Sequence, residues 1–536
     1  MKITRRHSLK LLASAVPVLA ARRSLAFLAD QTESNSLTLT QGPFAGTKDS
    51  LARNKMPAWF ADAKFGIWSH WGPQSGVEYG DWFARTMYVE GSSAYKWHLE
   101  NYGHPSKSGY KDLVPLFKGA KWDPEHLMDL YVKAGAKYFV SMGVHHDNYD
   151  MWNSKYQPRW NSVAIGPGRD IVGEYAKAAR ARGLRFGVSE HLSNSFEFLG
   201  PAHSCDKTGP LAGVPYDGSD PAYADLYHDY SGMKPGYLDR IINHPMGREE
   251  APDSWKLQYF RRIKDLVDQH HPDLLYTDGG IPFAEYGMST IAEAYNVSAA
   301  LHHGTNETVF TGKLAKECTG GTCVLDRERS VLDSVWPEPW QTDTCIGNWH
   351  YQRGITYKSA KKVIDLLVDI VSKNGNLLLN FPLPNSGELD AAEMVTLNGI
   401  TEWMKLNSEG IYDTRPWAIS GEGPSTKAIV HTDSTSAYNP NEGKKPDLGA
   451  ADFRFTTKNG KLYAFAQGYS KTGDPYMLEC LAFGSPYKPG KIRNVAVLGS
   501  DEKLAWKQDE AGLRIAALKK PLHDAGCCFR IAFDKG

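Results

Sequence analysis

Pro272-Asp273-Leu274-Leu275-Tyr276-Thr277-Asp278-Gly279-Gly280 reads as a short apolar strand that carries one carboxylate to its tip and then turns away through two glycines. In a barrel of parallel strands, the C-terminal strand ends are where chemistry is placed. Alone, Asp278 would read as a turn residue or a helix cap. Two other runs change that reading. Phe65-Gly66-Ile67-Trp68-Ser69-His70-Trp71-Gly72 and Gly143-Val144-His145-His146-Asp147 also end strand-like segments in polar and aromatic residues. Three strand ends aimed at one place imply a pocket.

Around these tips, helix and strand signals alternate. Asp123-Pro124-Glu125 supplies a cap, a proline for the first helical position and an acid, and that helix stops at Gly135 before the strand Lys137–Met142. Asp170 opens a helix through Arg182, followed by the strand Leu184–Val188. Trp255 to His270 reads as a helix that leads into the Asp278 strand. Val363, Leu366, Leu367, Ile370 and Val371 share one helical face, with Gly375 as the stop and Leu377-Leu378-Leu379-Asn380 as the next strand. Repeated units of this kind require parallel strands with crossover helices. No Gly-x-Gly-x-x-Gly turn follows the first strand, so a (β/α)8-type barrel over residues 31–415 fits better than an open nucleotide-binding sheet. After Trp417 the texture changes. Loop-rich sequence from Ser420 to Leu448 gives way to short strands, two of them flanking the hairpin turn Lys458-Asn459-Gly460-Lys461. Residues 416–536 read as an antiparallel β-sandwich.

The 61 basic and 61 acidic side chains cancel, which argues against nucleic acid or anionic lipid as a partner. Fifteen Trp and 27 Tyr offer flat faces with polar edges, suited to stacking on a sugar ring. Residues 1–30 begin with a basic stretch containing paired Arg5 and Arg6, followed by the apolar run from Leu11 to Ala21. That pattern is an export signal of twin-arginine type, which places the mature protein in the periplasm or outside the cell. No later stretch is apolar enough to span a membrane. Seven cysteines do not make a disulfide framework; Cys318 and Cys323 are spaced to bridge, whereas adjacent Cys527 and Cys528 are not expected to pair with each other. No zinc pattern is present, and no cofactor is implied.

Several motifs in order carry a family resemblance: Trp59-Phe60-x-x-Ala63-Lys64-Phe65-Gly66-Ile67-Trp68-x-His70-Trp71-Gly72, His145-His146-Asp147, Arg169-Asp170-Ile171-Val172-Gly173, Thr277-Asp278-Gly279, Leu377-Leu378-Leu379-Asn380, and Gly410-Ile411-Tyr412-x-Thr414-Arg415-Pro416-Trp417. Over about Trp59 to Trp417 the chain resembles glycoside hydrolases of the α-L-fucosidase family. The resemblance implies a barrel followed by a β-sandwich, a fucosylated glycan as substrate, and retaining hydrolysis by two carboxyls about 5–5.5 Å apart. Asp278 matches the nucleophile. The best match to the acid is Glu328 in Val324-Leu325-Asp326-Arg327-Glu328-Arg329, whose flanking arginines would lower its pKa if they pointed at it. Glu338, Asp343 and Asp81 are the other carboxylates in play; Gln341 stands where many relatives carry Glu. His70, His145 and His146 match histidines that bond sugar hydroxyls, Trp82 and Trp340 would wall the apolar face, and His191 follows a further strand tip. A metal shared by His145 and His146 is disfavoured, because successive strand residues point to opposite sides without a bulge. Two other readings stay open: the same fold acting on a related sugar such as an α-L-galactoside, and a non-catalytic carbohydrate-binding protein on a decayed scaffold.

Overall fold

Eight parallel strands form one sheet in the order β6-β5-β4-β3-β2-β1-β8-β7. They are β1 (Phe65–Ser69), β2 (Tyr138–Val144), β3 (Arg185–Glu190), β4 (Leu274–Thr277), β5 (Val309–Gly312), β6 (Val324–Leu325), β7 (Trp340–Cys345) and β8 (Gly375–Asn380). Nearly every strand residue is buried, as parallel strands covered by helices require. The computed structural model describes residues 36–243, 250–427, 441–442, 448–470, 472–487 and 489–534; the export signal read in residues 1–30 lies outside them.

Local sequence explains the crossovers. Asp123 caps α1 (Pro124–Lys133) by accepting from the His126 N–H, and Asp170 caps α2 (Ile171–Ala181) by accepting from Gly173. The Asp278 strand is delivered by α3 (Asp253–His270), and α4 (Glu285–Leu301) leads on toward β5. Ser359 caps α5 (Ala360–Ser372), and Asp390 forms a capping box with Glu393 on α6 (Ala391–Asn407). Gly375, read as the stop of α5, is instead the first residue of β8; the left-handed residue is Asn374, at φ 75°. Glycine is needed at 375 for another reason, since a Cβ there would meet the Trp340 indole at 2.7 Å.

Closure of the barrel falls to a very short strand. β6 has two residues, and beyond it Asp326 bridges to Gln341 on β7 in parallel fashion. Backbone N–H groups of Arg327 and Arg329 then donate to the carbonyls of Gln341 and Asp343, each at 2.9 Å. Because bonds at positions two apart face β7, the side chains of Asp326 and Glu328 share one side of this segment and those of the arginines take the other. The disulfide Cys318–Cys323 lies in the loop between β5 and β6, while Cys527 and Cys528 are buried free thiols.

The antiparallel part begins with β9 (Arg415–Glu422), so strand structure runs into the stretch read as loop; residues 428–440 and 443–447 of that stretch lie outside the described residues. β10 (Phe453–Lys458) and β11 (Lys461–Ala466) form the expected hairpin and join β9, β13 (Ile492–Val497) and β16 (Cys527–Phe533) in a five-stranded sheet. A three-stranded sheet of β12 (Tyr476–Leu478), β14 (Trp506–Asp509) and β15 (Gly512–Ile515) packs on it, with Phe453, Phe455, Leu478, Leu513 and Phe529 in the shared core. The sandwich rests on α5 and α6. Trp403 stacks on Phe465 at 5.9 Å, and Arg454 reaches from β10 to place its Nε 2.6 Å from Asp369 Oδ1 on α5, with Lys373 3.0 Å from the same carboxylate. Both Asp369 and Arg454 are nearly inaccessible; without Arg454 the carboxylate keeps Lys373 but loses a charge-assisted hydrogen bond to the other layer. Arg454→Met is expected to destabilise the protein by about 2 kcal/mol, read as a lower midpoint of chemical denaturation; a midpoint equal to that of the unaltered protein would show that the two layers do not depend on this pair.

Candidate active site

Asp278 follows β4, and its N–H donates to the Glu190 carbonyl at the end of β3. The neighbouring strand tips surround it with rings. His70 follows β1, His145 and His146 follow β2, and His191 follows β3; neighbouring ring centroids are 4.4 to 5.3 Å apart. Residues as close in sequence as His145 and His146 face the same space because β2 ends at Val144, next to a bulge between Met142 and Val144. Strand alternation, the ground on which a metal shared by these two histidines is disfavoured, therefore does not apply beyond that point. Asp147 turns away instead, accepting a hydrogen bond from the buried Tyr110 hydroxyl.

The carboxyls around this pocket differ in environment. His146 Nε2 lies 3.4 Å from Asp278 Oδ2. Burial opposes ionisation of Asp278, but the hydrogen bond from His146 and the nearby His191 and Lys313 hold its carboxyl well below the usual carboxylate range. Glu328 behaves in the opposite way. Burial is the main cause of its rise to about 7; Lys313 opposes the shift, and Asp343 and Asp278 add to it. The arginines that flank Glu328 do not reverse this, because they lie on the other side of the segment. Arg329 donates to the Gly347 carbonyl at 3.3 Å and stacks over Trp349. A carboxylate held ionised and a carboxyl held protonated near neutrality are the two partners that acid–nucleophile chemistry needs.

Under these two groups lies a buried polar network. The Lys313 ammonium, one residue past β5, is 3.3 Å from Glu328, 3.2 Å from Asp343 and 3.5 Å from Asp326. Tyr276 donates its hydroxyl to Asp343 at 2.9 Å, and Gln341 donates to Asp326. Tyr138 in turn donates to Gln341 across the barrel at 2.9 Å. Its ring lies where a Cβ on Gly66 would stand, 2.3 Å away, so the Phe65-Gly66 pair makes room for the network. Asp343, a reserve candidate for the acid, is thus part of the support, and Glu338 is exposed near the opposite end of β7.

Asp81 does not reach for the bond-breaking position. Its Oδ1 accepts from His350 Nδ1 at 2.5 Å and faces His70 Nε2 and His145 Nε2 at 3.9 and 3.8 Å. Among the described residues, His70, Asp81, His145 and His350 are the group whose donor atoms, all within 4.8 Å, could hold a metal. The tautomer of His145 argues against that use. Gln74 Oε1 accepts from the Ala84 N–H, so its Nε2 donates to His145 Nδ1, and the proton of the neutral ring must sit on Nε2. A nitrogen carrying a proton donates to oxygen and does not ligate a metal. Burial, with the surrounding histidines, holds the pKa of His70 and His145 well below the ordinary value, and burial takes His191 to about 3. The neutral rings of His70, His145 and His191 carry one donor and one acceptor, and buried ring nitrogens without a hydrogen-bond partner (both of His70, Nδ1 of His191, Nε2 of His350) suit a polyhydroxyl ligand.

Trp82 stands partly exposed beside Phe198 and His146, at ring distances of 5.7 and 6.1 Å, as a pocket wall should. Trp340 does not. It is the first residue of β7, at the opposite end of the barrel, fully buried with its indole N–H on the Lys373 carbonyl at 2.9 Å. The resemblance implies Trp340 as a pocket wall, but Trp340 opens its strand and so stands away from the strand tips. The second wall is Trp349, partly exposed and packed on Trp68 and His70. Trp349, His350, Phe198 and Lys313 escaped sequence reasoning. For two of them a signal existed, since Asn348-Trp349-His350 follows β7 as the same polar and aromatic cluster that marked the other tips.

Comparison with known proteins fits this geometry. A family profile described as Alpha-L-fucosidase matches residues 31–409. The tissue alpha-L-fucosidase of Rattus norvegicus is 29% identical over 474 residues, covering 86% of this chain and 85% of the relative. A solved Thermotoga maritima alpha-fucosidase in complex with fucose aligns with a TM-score of 0.66 and 24% identity over 91% of this chain and 99% of its own. A Bacteroides thetaiotaomicron alpha-L-fucosidase trapped as a covalent intermediate gives a TM-score of 0.59 at 16% identity, over 92% and 98%. These two solved structures speak for the fold; the profile and the curated relative speak for descent. The chain belongs to the alpha-L-fucosidase family of glycoside hydrolases.

Proposed function

We propose that this pocket releases terminal α-L-fucose from fucosylated glycans with retention of configuration, Asp278 acting as nucleophile and Glu328 as acid and then base. The observation that carries the reading is the opposite environment of these two carboxyls on one barrel face. In the first half-reaction an Asp278 oxygen bonds to the anomeric carbon as the glycosidic C–O bond breaks, and Glu328 passes its proton to the leaving oxygen. In the second, Glu328 takes a proton from water, which attacks the same carbon and frees Asp278. His70, His145, His146, His191 and His350 would bond the sugar hydroxyls, with Trp82 and Trp349 against its apolar face. The trapped covalent intermediate of the Bacteroides relative supports a double displacement. No helix among the described residues is long and apolar enough to cross a membrane. The paired arginines at residues 5 and 6 before the apolar run from Leu11 to Ala21 support export to the periplasm or beyond. We assign catalysis to residues 31–415 and a bracing role to residues 416–536.

Asp278→Gly is expected to lower kcat on an aryl α-L-fucoside by at least about 10³-fold, with partial recovery in azide, which fills the space of the missing carboxylate. Turnover near the wild-type rate would remove Asp278 from the mechanism. Glu328 gives its proton in the first step, so kcat/KM should fall as the pH rises through about 7. Asp278 stays ionised through the mildly acidic range and should impose no loss there. A profile flat to about pH 9, or Glu328→Ala that slows good and poor leaving groups equally, would point to another acid.

A further inference from the structure

Resting on the fucosidase reading above, the reaction moves a negative charge across a buried site. Before glycosylation the charge is on Asp278 and the proton on Glu328. Once the Asp278 ester has formed and the proton has gone to the leaving oxygen, the charge is on Glu328; the water step reverses both. Each position of the charge is costly in a pocket of low polarity unless a counter-ion is already in place, because reorganising one during the reaction would add to the barrier.

We propose that Lys313 is the positioning residue for both carboxyls, a fixed counter-ion that serves Asp278 before glycosylation and Glu328 after it, and that Asp343 anchors its ammonium. Four observations place it. Its backbone N–H donates to the Gly279 carbonyl at 2.8 Å, which ties the tip of β5 to the turn that carries Asp278. The carbonyl of the preceding Gly312 accepts from the Asp326 N–H at 2.9 Å, which ties the same tip to the segment that carries Glu328. The ammonium lies 3.3 Å from Glu328 Oε2 and 3.2 Å from both oxygens of Asp343. It also stands 5.2 Å from the Tyr276 ring, whose hydroxyl holds Asp343. A lysine with no exposed surface normally tends to lose its proton. Here burial pulls in that direction, but Asp343, Glu328, Asp326 and Asp278 together hold it as the ammonium.

The groups that face this cation come from every neighbouring strand tip. They are Tyr276 and Asp278 on and after β4, Asp326 and Glu328 after β6, Asp343 on β7, and His191 after β3, whose ring also feels the lysine. Burial and Asp343 push Asp326 well above the usual carboxylate range, while Lys313 and the Gln341 amide pull it back. Lys313 lowers the pKa of both catalytic carboxyls, whereas Asp343 raises that of Glu328. Removing the lysine and removing its anchor should therefore move the pH profile in opposite directions.

The test compares the full-length wild type, Lys313→Met, Lys313→Arg and Asp343→Asn on 4-nitrophenyl α-L-fucoside across pH. Lys313→Met should cut kcat/KM by about 100-fold or more and shift the alkaline limb of the profile, set by Glu328, to higher pH by about one unit. Lys313→Arg should bring that limb back toward wild type. Asp343→Asn should shift it to lower pH. A lysine that merely props up the fold would lower the amplitude and leave the limb in place. An alkaline limb of folded Lys313→Met within about 0.2 unit of wild type would overturn the proposal. If that variant is not recovered folded, an unmoved or oppositely moved alkaline limb in Asp343→Asn does the same. A wild type with no activity on the fucoside rejects the fucosidase reading; an active wild type with an unmoved alkaline limb in the variants rejects only the role of Lys313.

Discussion

Burial sets the terms for this pocket. It raises the energy of every charge placed there, so hydrogen bonds and fixed neighbours alone decide which carboxyl stays ionised and which keeps its proton. Asp278 accepts from His146 and is ionised; for Glu328 burial, with Asp343 and Asp278, outweighs the pull of Lys313 and pushes it up to about 7. The difference is built into strand tips rather than mobile loops. β4 ends on one carboxylate, and the segment after β6 is zipped to β7 by two backbone hydrogen bonds that orient the other. A barrel whose closing strand has only two residues thereby uses its closure to aim a catalytic group.

The same closure separates what local sequence determines from what it does not. The alternation of helix and strand, the caps at Asp123 and Asp170 and the hairpin at Asn459-Gly460 depend on local rules, and the fold class followed from them. So did the convergence of His70, His145, His146, His191 and Asp278, because each directly follows a strand that its own apolar run announces. What depended on the partner across the barrel was not legible. Glu328 appeared compromised by two arginines until the register with β7 put them on the opposite side. Family matching puts Trp340 in the pocket, and nothing local corrects it, because the sequence around a tryptophan does not say whether it opens a strand or ends one. His350 is 269 positions from Asp81, and only the closed barrel makes them partners. Lys313 follows a four-residue strand and has no motif of its own, and its meaning lies in Asp278 before it and in Asp326, Glu328 and Asp343 contributed by later segments.

The antiparallel region also approaches the barrel beyond its packing on α5 and α6. Asn441 makes two hydrogen bonds with the backbone of Val331, at 3.0 and 2.8 Å, and the Glu442 N–H donates to the Arg329 carbonyl at 3.1 Å. Glu442 also pairs with Lys358 at 2.9 Å and accepts from Thr344. The stretch that carries Glu328 is thus held on one side by β7 and on the other by residues that come after the barrel in sequence. A general acid must sit within a few tenths of an ångström of its target, and two-sided support of this kind is how a segment without regular structure of its own is kept in place.

Retaining hydrolysis by this pocket requires a covalent bond between the sugar and one carboxylate. Incubation with 2-deoxy-2-fluoro-L-fucosyl fluoride, followed by proteolysis and peptide mass spectrometry, tests it most directly, because the fluorine slows hydrolysis of the ester more than its formation. The label is predicted on the peptide containing Tyr276-Thr277-Asp278-Gly279, with Asp278 as the modified residue. A label on any other residue, or rapid turnover of natural fucosides with no label trapped anywhere, would contradict the central claim.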